Sequence, residues 1–251
     1  MGAYTHQYGV KYRYTWKKDN YTVNDWTGTP SVGKQPTVIK GLLGGVKADD
    51  SVVFNYPEPG LFVNSDMTDS ESGKSLRKVY KDFKLGFERN GDTYTLKEVK
   101  DSSGTDVAAA NGYDYKSGNN FFPLDRVSYK EYSRNYKKES GITESHNGPH
   151  NYYFGMRYDI TFELGDYIGD LNYSFKGDDD MWVVLDKGKY EEGSGKVIID
   201  LGGIHDAASA DVDLWKELFG SEYAKEAPDK YIKRASLTED QKNEEHTLTV
   251  L

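Results

Sequence analysis

Cysteine is absent from all 251 residues, which excludes disulfides and thiolate metal sites. That absence fits a reducing compartment and an exported bacterial surface protein equally well. No apolar run approaches the roughly 20 residues that a helix needs to cross a bilayer, so no membrane insertion is expected. The opening segment "MGAYTHQYGVKYRY" has no apolar export core, so any signal is expected to have been removed or to lie elsewhere. Positive charge is short too. Lys and Arg number 32 against 41 Asp and Glu, a net charge of -9 with a pI near 5.1. A surface of that sign repels phosphate backbones, so no nucleic-acid partner is expected. Mean hydropathy of -0.79 predicts a soluble, polar-surfaced protein.

Helical periodicity is scarce as well. In "ADVDLWKELFGSEYAKEA", Leu214, Trp215, Leu218 and Phe219 share a face and Ser209 is placed to cap. A strand through Val212 and Leu214 followed by a short helix fits nearly as well. "KSLRKVYKDF" is a second candidate helix. No internal repeat and no Pro- or Gly-rich linker divides the chain.

What is abundant is tyrosine, at 21 residues, bringing aromatics to 14%. Aromatic and β-branched enrichment favours strands. Short alternating segments recur between Gly, Asn, Asp and Pro: "SVVFNY", "LNYSFKG", "MWVVLD", "KVIIDLGG" and "EHTLTVL". Asn90-Gly91 joins two of them with a strong hairpin signal. The expected fold is all-β, an antiparallel, jelly-roll-like β-sandwich with long loops and one or two short helices. One domain over residues 1–251 is expected, with 119–251 holding the ligand core and 1–118 adding strands and loops. Asp101 to Gly118 is the most loop-like stretch between them.

Several chemical signals fail on inspection. "SGKS" at Ser72 to Ser75 lacks the leading Gly of a phosphate-binding loop, because Thr68 stands there. His146 and His150 have zinc-protease spacing, but Gly148 and Pro149 oppose the helix that would align them. The sequons at Asn20 and Asn172 read as chance occurrences in this composition. No Ser-His-Asp arrangement is legible. A paired-carboxylate glycosidase has no positive support, so no enzyme is expected.

The segment "FKGDDDMWVVLD" is different. Asp178, Asp179 and Asp180 stand together at the mouth of an apolar strand, where like charges repel and lose hydration. Either water surrounds them in an exposed turn, or a hard cation compensates them; calcium takes some 6–8 oxygens. Neighbouring side chains of a regular strand point to opposite faces, so convergence needs a distorted backbone such as a cis peptide. Trp182 breaks the EF-hand pattern.

"FKGDDDMWVVLD", "VIIDLGGIHDA", "NNFFPLD" and "HNYYFGMRYDITFEL" together resemble the fibro-slime domain, over about residues 119–251. That family belongs to the anthrax-protective-antigen-like β-sandwiches, with the flocculin and GLEYA lectins. The resemblance implies a secreted bacterial surface module, part of a longer protein, whose calcium is held by cis-linked Asp178 and Asp179. It implies further that the ion chelates hydroxyls of a glycan on a host or microbial surface. Asp180 departs from a position that is often Gly in the superfamily. Asp125 either approaches the calcium or fixes its own loop, and His205 either meets a ligand or bonds its turn. Asp200 reads as a strand-end turn residue beside Gly202 and Gly203, and Trp182, Tyr152, Tyr153 and Phe154 as core. The family's usual continuation past "EHTLTVL" is not in this chain.

The expected function is therefore a calcium-dependent, carbohydrate-binding adhesion domain of a bacterial cell-surface protein. The alternative is a structural adhesin module whose calcium only stabilises it, without a sugar ligand. Extracellular location is expected under both.

Overall fold

The computed structural model describes residues 2–6, 16–18, 21–23, 38, 40–55, 62–63, 65–68, 75–100, 144–145, 148–149, 154–177, 180–202 and 207–251. In chain order the strands are β1 (Gly2–His6), β2 (Trp16–Lys18), β3 (Tyr21–Val23), β4 (Leu43–Val46), β5 (Val52–Phe54), β6 (Met67–Thr68), β7 (Ser75–Lys81), β8 (Lys84–Asn90) and β9 (Thr93–Lys100). They continue as β10 (Glu144–Ser145), β11 (Gly148–Pro149), β12 (Phe154–Phe162), β13 (Asn172–Gly177), β14 (Met181–Leu185), β15 (Lys196–Leu201), β16 (Ala208–Asp213) and β17 (His246–Val250). Short helices α1 (Leu214–Phe219), α2 (Lys230–Ala235) and α3 (Glu239–Lys242) lie between the last two strands. The fold is all-β, sandwich-like, with antiparallel pairing throughout the described ladders, as the alternating sequence predicts.

Two compact units share the chain. One comprises Met1–Arg13 with Glu58–Tyr158, and the other Tyr14–Pro57 with Asp159–Leu251. In the first unit, β7 pairs with β1 on one side and β6 on the other, and β1 pairs with β12. "KSLRKVYKDF" is thus a strand, not a helix: its apolar spacing suits either period, and pairing on two sides decides. The β8–β9 hairpin turns at Gly91, whose φ of 61 suits glycine. Glu144 and Ser145 pair with Pro149 and Gly148, an extended arrangement that excludes a zinc-protease helix there.

In the second unit β14 is central, flanked by β15 and β17. Its run Trp182 to Leu185 is fully buried, the continuous apolar pattern of a strand covered on both faces. Trp182 and Leu251 exchange backbone bonds of 3.0 and 2.9 Å, extending the β14–β17 ladder. The β4–β5 hairpin packs on the Trp182 side, with Phe54 edge-on to the indole at 5.8 Å. Gly45 lets the hairpin pass close to Ser194: at φ 136, a Cβ there would run into Ser194 Oγ. A second cluster gathers Leu164, Trp215 and Leu237 with Phe162, Leu218 and Phe219 around α1. Asp213, not Ser209, caps that helix, its Oδ1 accepting from the Trp215 and Lys216 amides. Val212 is in β16, so strand and helix meet at Asp213.

Candidate functional site

Strand register defines one end of the second unit. The end of β13 faces the start of β16, Gly177 opposite Ala208. The start of β14 likewise faces the end of β15, Met181 opposite Leu201. Both connections between these pairs, 178–180 and 202–207, therefore depart from the same end. The sequence places Asp178, Asp179, Asp180 and His205 in these two connections. Asp178, Asp179, His205 and Asp125 lie outside the described residues, as does the Asp178–Asp179 peptide; Tyr152, Tyr153, His146 and His150 do too. Asp180 is described and exposed. Among the described residues no cluster of His, Asp and Glu groups to hold a metal ion.

The same end carries a clamp that residue-type reasoning misread. Asp200 lies inside β15 directly opposite Trp182, and is not a turn residue. Its Oδ1 accepts the Trp182 indole N–H at 2.9 Å. Its other oxygen accepts the backbone N–H of Gly41, which precedes β4. Asn55, after β5, closes the arrangement: its amide side chain donates to the Gly41 carbonyl at 3.1 Å, and its N–H donates to Leu42 O at 2.9 Å. One carboxylate therefore fixes the 5% exposed Trp182 and the entry to the β4–β5 hairpin. Trp182 is core, as its alternation predicts. The readable signal for Asp200 was an acidic residue facing a tryptophan across an antiparallel pair.

A buried acid–histidine pair occupies the opposite end of β14. Asp186, at φ 49, and His246 are 4% and 3% exposed, and Asp186 Oδ2 meets His246 Nδ1 at 2.8 Å. The second Asp186 oxygen accepts the Thr247 N–H at 2.8 Å. Burial opposes ionisation of Asp186, but the His246 and Thr247 bonds outweigh it and hold the carboxyl below the usual carboxylate range. His246 Nε2 is buried with no bonding partner among the described residues. Phe162 and Phe219 rings lie 5.5 and 6.5 Å from the imidazole. Enclosed in this way, the pair ties the turn after β14 to the start of β17 and offers no open face to a substrate.

The helical region is knotted by Arg234, which is 1% exposed. Its Nε and Nη2 donate to the Tyr223 carbonyl at 2.9 and 2.7 Å. Its Nη1 reaches Ile168 O, Gly169 O and Asp170 Oδ1 at 3.0, 2.9 and 3.1 Å. The guanidinium lies 4.8 Å over the Trp215 ring, whose indole donates to Gly169 O at 2.7 Å. Hydrogen bonding from Lys230, and then from Arg234, holds Asp170 below the usual carboxylate range.

The chain is similar in sequence to eukaryotic proteins. Protein psiJ of Dictyostelium discoideum is 37% identical over 98 residues, 38% of this chain and 12% of that protein. Protein psiP of the same organism is 27% identical over 190 residues, 70% of this chain and 21% of its own length. Protein psiG is 29% identical over 180 residues, again 70% of this chain, and 22% of its own length. The chain thus spans about a fifth or less of these relatives. No protein-family profile matches the chain, and no solved structure does. The eukaryotic relatives overturn the expected bacterial calcium-dependent lectin. The acidic triplet and its four-block setting suggested that reading; Asp178 and Asp179, on which it rested, lie outside the described residues.

Proposed function

We propose that the chain is a non-catalytic recognition module of a longer eukaryotic protein, working outside the cell and meeting its ligand at the clamped end of the second unit. The observation that carries this is the register that sends both connections, 178–180 and 202–207, away from one end. Loops on a rigid scaffold are where recognition residues concentrate. Here the scaffold is made rigid by Asp200, which joins β14, β15 and the β4–β5 entry through Trp182 and Gly41. A non-catalytic role is supported by the use of the buried polar groups: Asp186 and Arg234 are committed to bonds that hold turns together, and His246 is enclosed against Asp186. The partial coverage of much longer relatives supports a module within a larger chain.

Labelled protein applied to living Dictyostelium discoideum cells tests the reading. Saturable binding to the outer surface, lost in the triple variant D178N/D179N/H205A with its circular dichroism unchanged, is the expected result. Binding that never saturates, or that the triple variant retains in full, overturns it.

A further inference from the structure

The geometry assigns Asn172 as an N-glycosylation site, an inference that rests on the reading of an exported eukaryotic protein. Asn172-Tyr173-Ser174 satisfies the acceptor pattern of Asn, any residue but Pro, then Ser or Thr. Composition alone gives the triplet no weight, but its placement does. Asn172 is the first residue of β13, and the strand alternates strictly: Asn172, Ser174 and Lys176 exposed, Tyr173, Phe175 and Gly177 half-buried. Across the ladder the outward positions are Ser209 and Asp211, both exposed, so this face of the pair is polar and open. The residue directly opposite Asn172 is Asp213, and its carboxylate is committed elsewhere. One oxygen caps α1 and the other accepts the Lys225 N–H. A glycan on Nδ2 of Asn172 projects into solvent from this face and displaces no packed side chain.

The finished ladder also dictates when the modification occurs. The Ser174 hydroxyl, the group that marks the acceptor, donates to Asp211 Oδ1 at 2.7 Å once β13 and β16 have paired. A transferase needs that hydroxyl and an unpaired backbone, so transfer precedes ladder formation. In the step, Asn172 Nδ2 bonds to the anomeric carbon of an oligosaccharide carried on a lipid pyrophosphate. The anomeric C–O bond breaks, its electron pair leaves with the lipid pyrophosphate, and the amide proton passes to a base on the transferase. Nothing is oxidised or reduced. The strands then pair with the glycan outside.

Secretion of the chain behind an appended leader from a eukaryotic cell line, followed by peptide mapping, decides the matter. Supplying the leader separates occupancy of this site from the natural destination of the protein, which the cell-binding assay addresses. The expected result is that amidase release of glycans in heavy-oxygen water converts Asn172 to heavy-labelled Asp. S174T keeps the label, whereas S174A and N172Q lose it on this peptide alone, whatever happens at Asn20. Folded, secreted protein whose Asn172 peptide is wholly unmodified overturns the inference.

Discussion

Single residues carry the sharpest consequences. Removing the Asp200 carboxylate strands the indole N–H of a tryptophan that is 5% exposed, and the Gly41 amide with it. Leaving such donors unsatisfied costs about 1–3 kcal/mol each, so Asp200→Ala should lower the urea midpoint by the equivalent of about 2–4 kcal/mol. A variant as stable as the parent would show that the clamp is ornamental. Asp186 sets a pH dependence. Its carboxyl titrates lower folded than unfolded, so its contribution to stability is present above the ordinary carboxylate range. That contribution is lost as pH falls through the lowered value. Thermal unfolding followed from neutral to strongly acidic pH should therefore lose stability on the acid side, with a shallower acid limb in Asp186→Asn.

At the scale of elements, turns and ladders were readable and the ties between them were not. The β8–β9 hairpin was legible because Asn90-Gly91 satisfies a local backbone rule, and Gly91 does adopt positive φ. Strands β13, β14, β15 and β17 were legible because alternation and apolar runs are local too, whereas β16 lay in a segment whose spacing suited a helix as well as a strand. By contrast, β7 carries spacing compatible with either period, and only its two partners make it a strand. Asp200, Gly41 and Asn55 are far apart in sequence, and the Asp200–Gly41 contact spans 159 positions. No pattern within a window reports such a contact. Of the candidate site, the sequence indicated Asp178 and Asp179, with Asp180, Asp125 and His205 as possible additions; strand register supplies the common end from which the 178–180 and 202–207 segments leave. Two substitutions test the element-level account. Gly45→Ala must accept φ 136 and a clash with Ser194 Oγ, so it should cost about 2 kcal/mol or more in chemical denaturation. Arg234→Met removes five donations that tie α2 to the 168–170 turn and Tyr223, with an expected cost of about 3 kcal/mol. Near-ultraviolet dichroism of Trp215 should weaken in parallel. Unchanged dichroism would mean that the apolar contacts of Trp215 with Leu164, Leu237 and Phe219, not the guanidinium, order the helices.

For the whole molecule, net charge of -9 and alignment to only part of longer eukaryotic proteins frame the activity. Acidic surface disfavours polyanions, so the protein should not retard duplex DNA in a gel even at low salt. The recognition reading makes a more demanding claim: the two ends of the second unit are not equivalent. Lys189 belongs to the end remote from the two connections, where it pairs with Glu244 at 3.0 Å in an exposed setting. Its loss should cost no more than about 0.5 kcal/mol and leave recognition intact. Surface binding to Dictyostelium discoideum cells, measured as full isotherms for the parent, Lys189→Ala and D178N/D179N, is the most direct test. Parent and Lys189→Ala should superimpose while D178N/D179N loses at least tenfold in affinity. Equal isotherms for all three, or loss in Lys189→Ala alone, would contradict recognition at the clamped end.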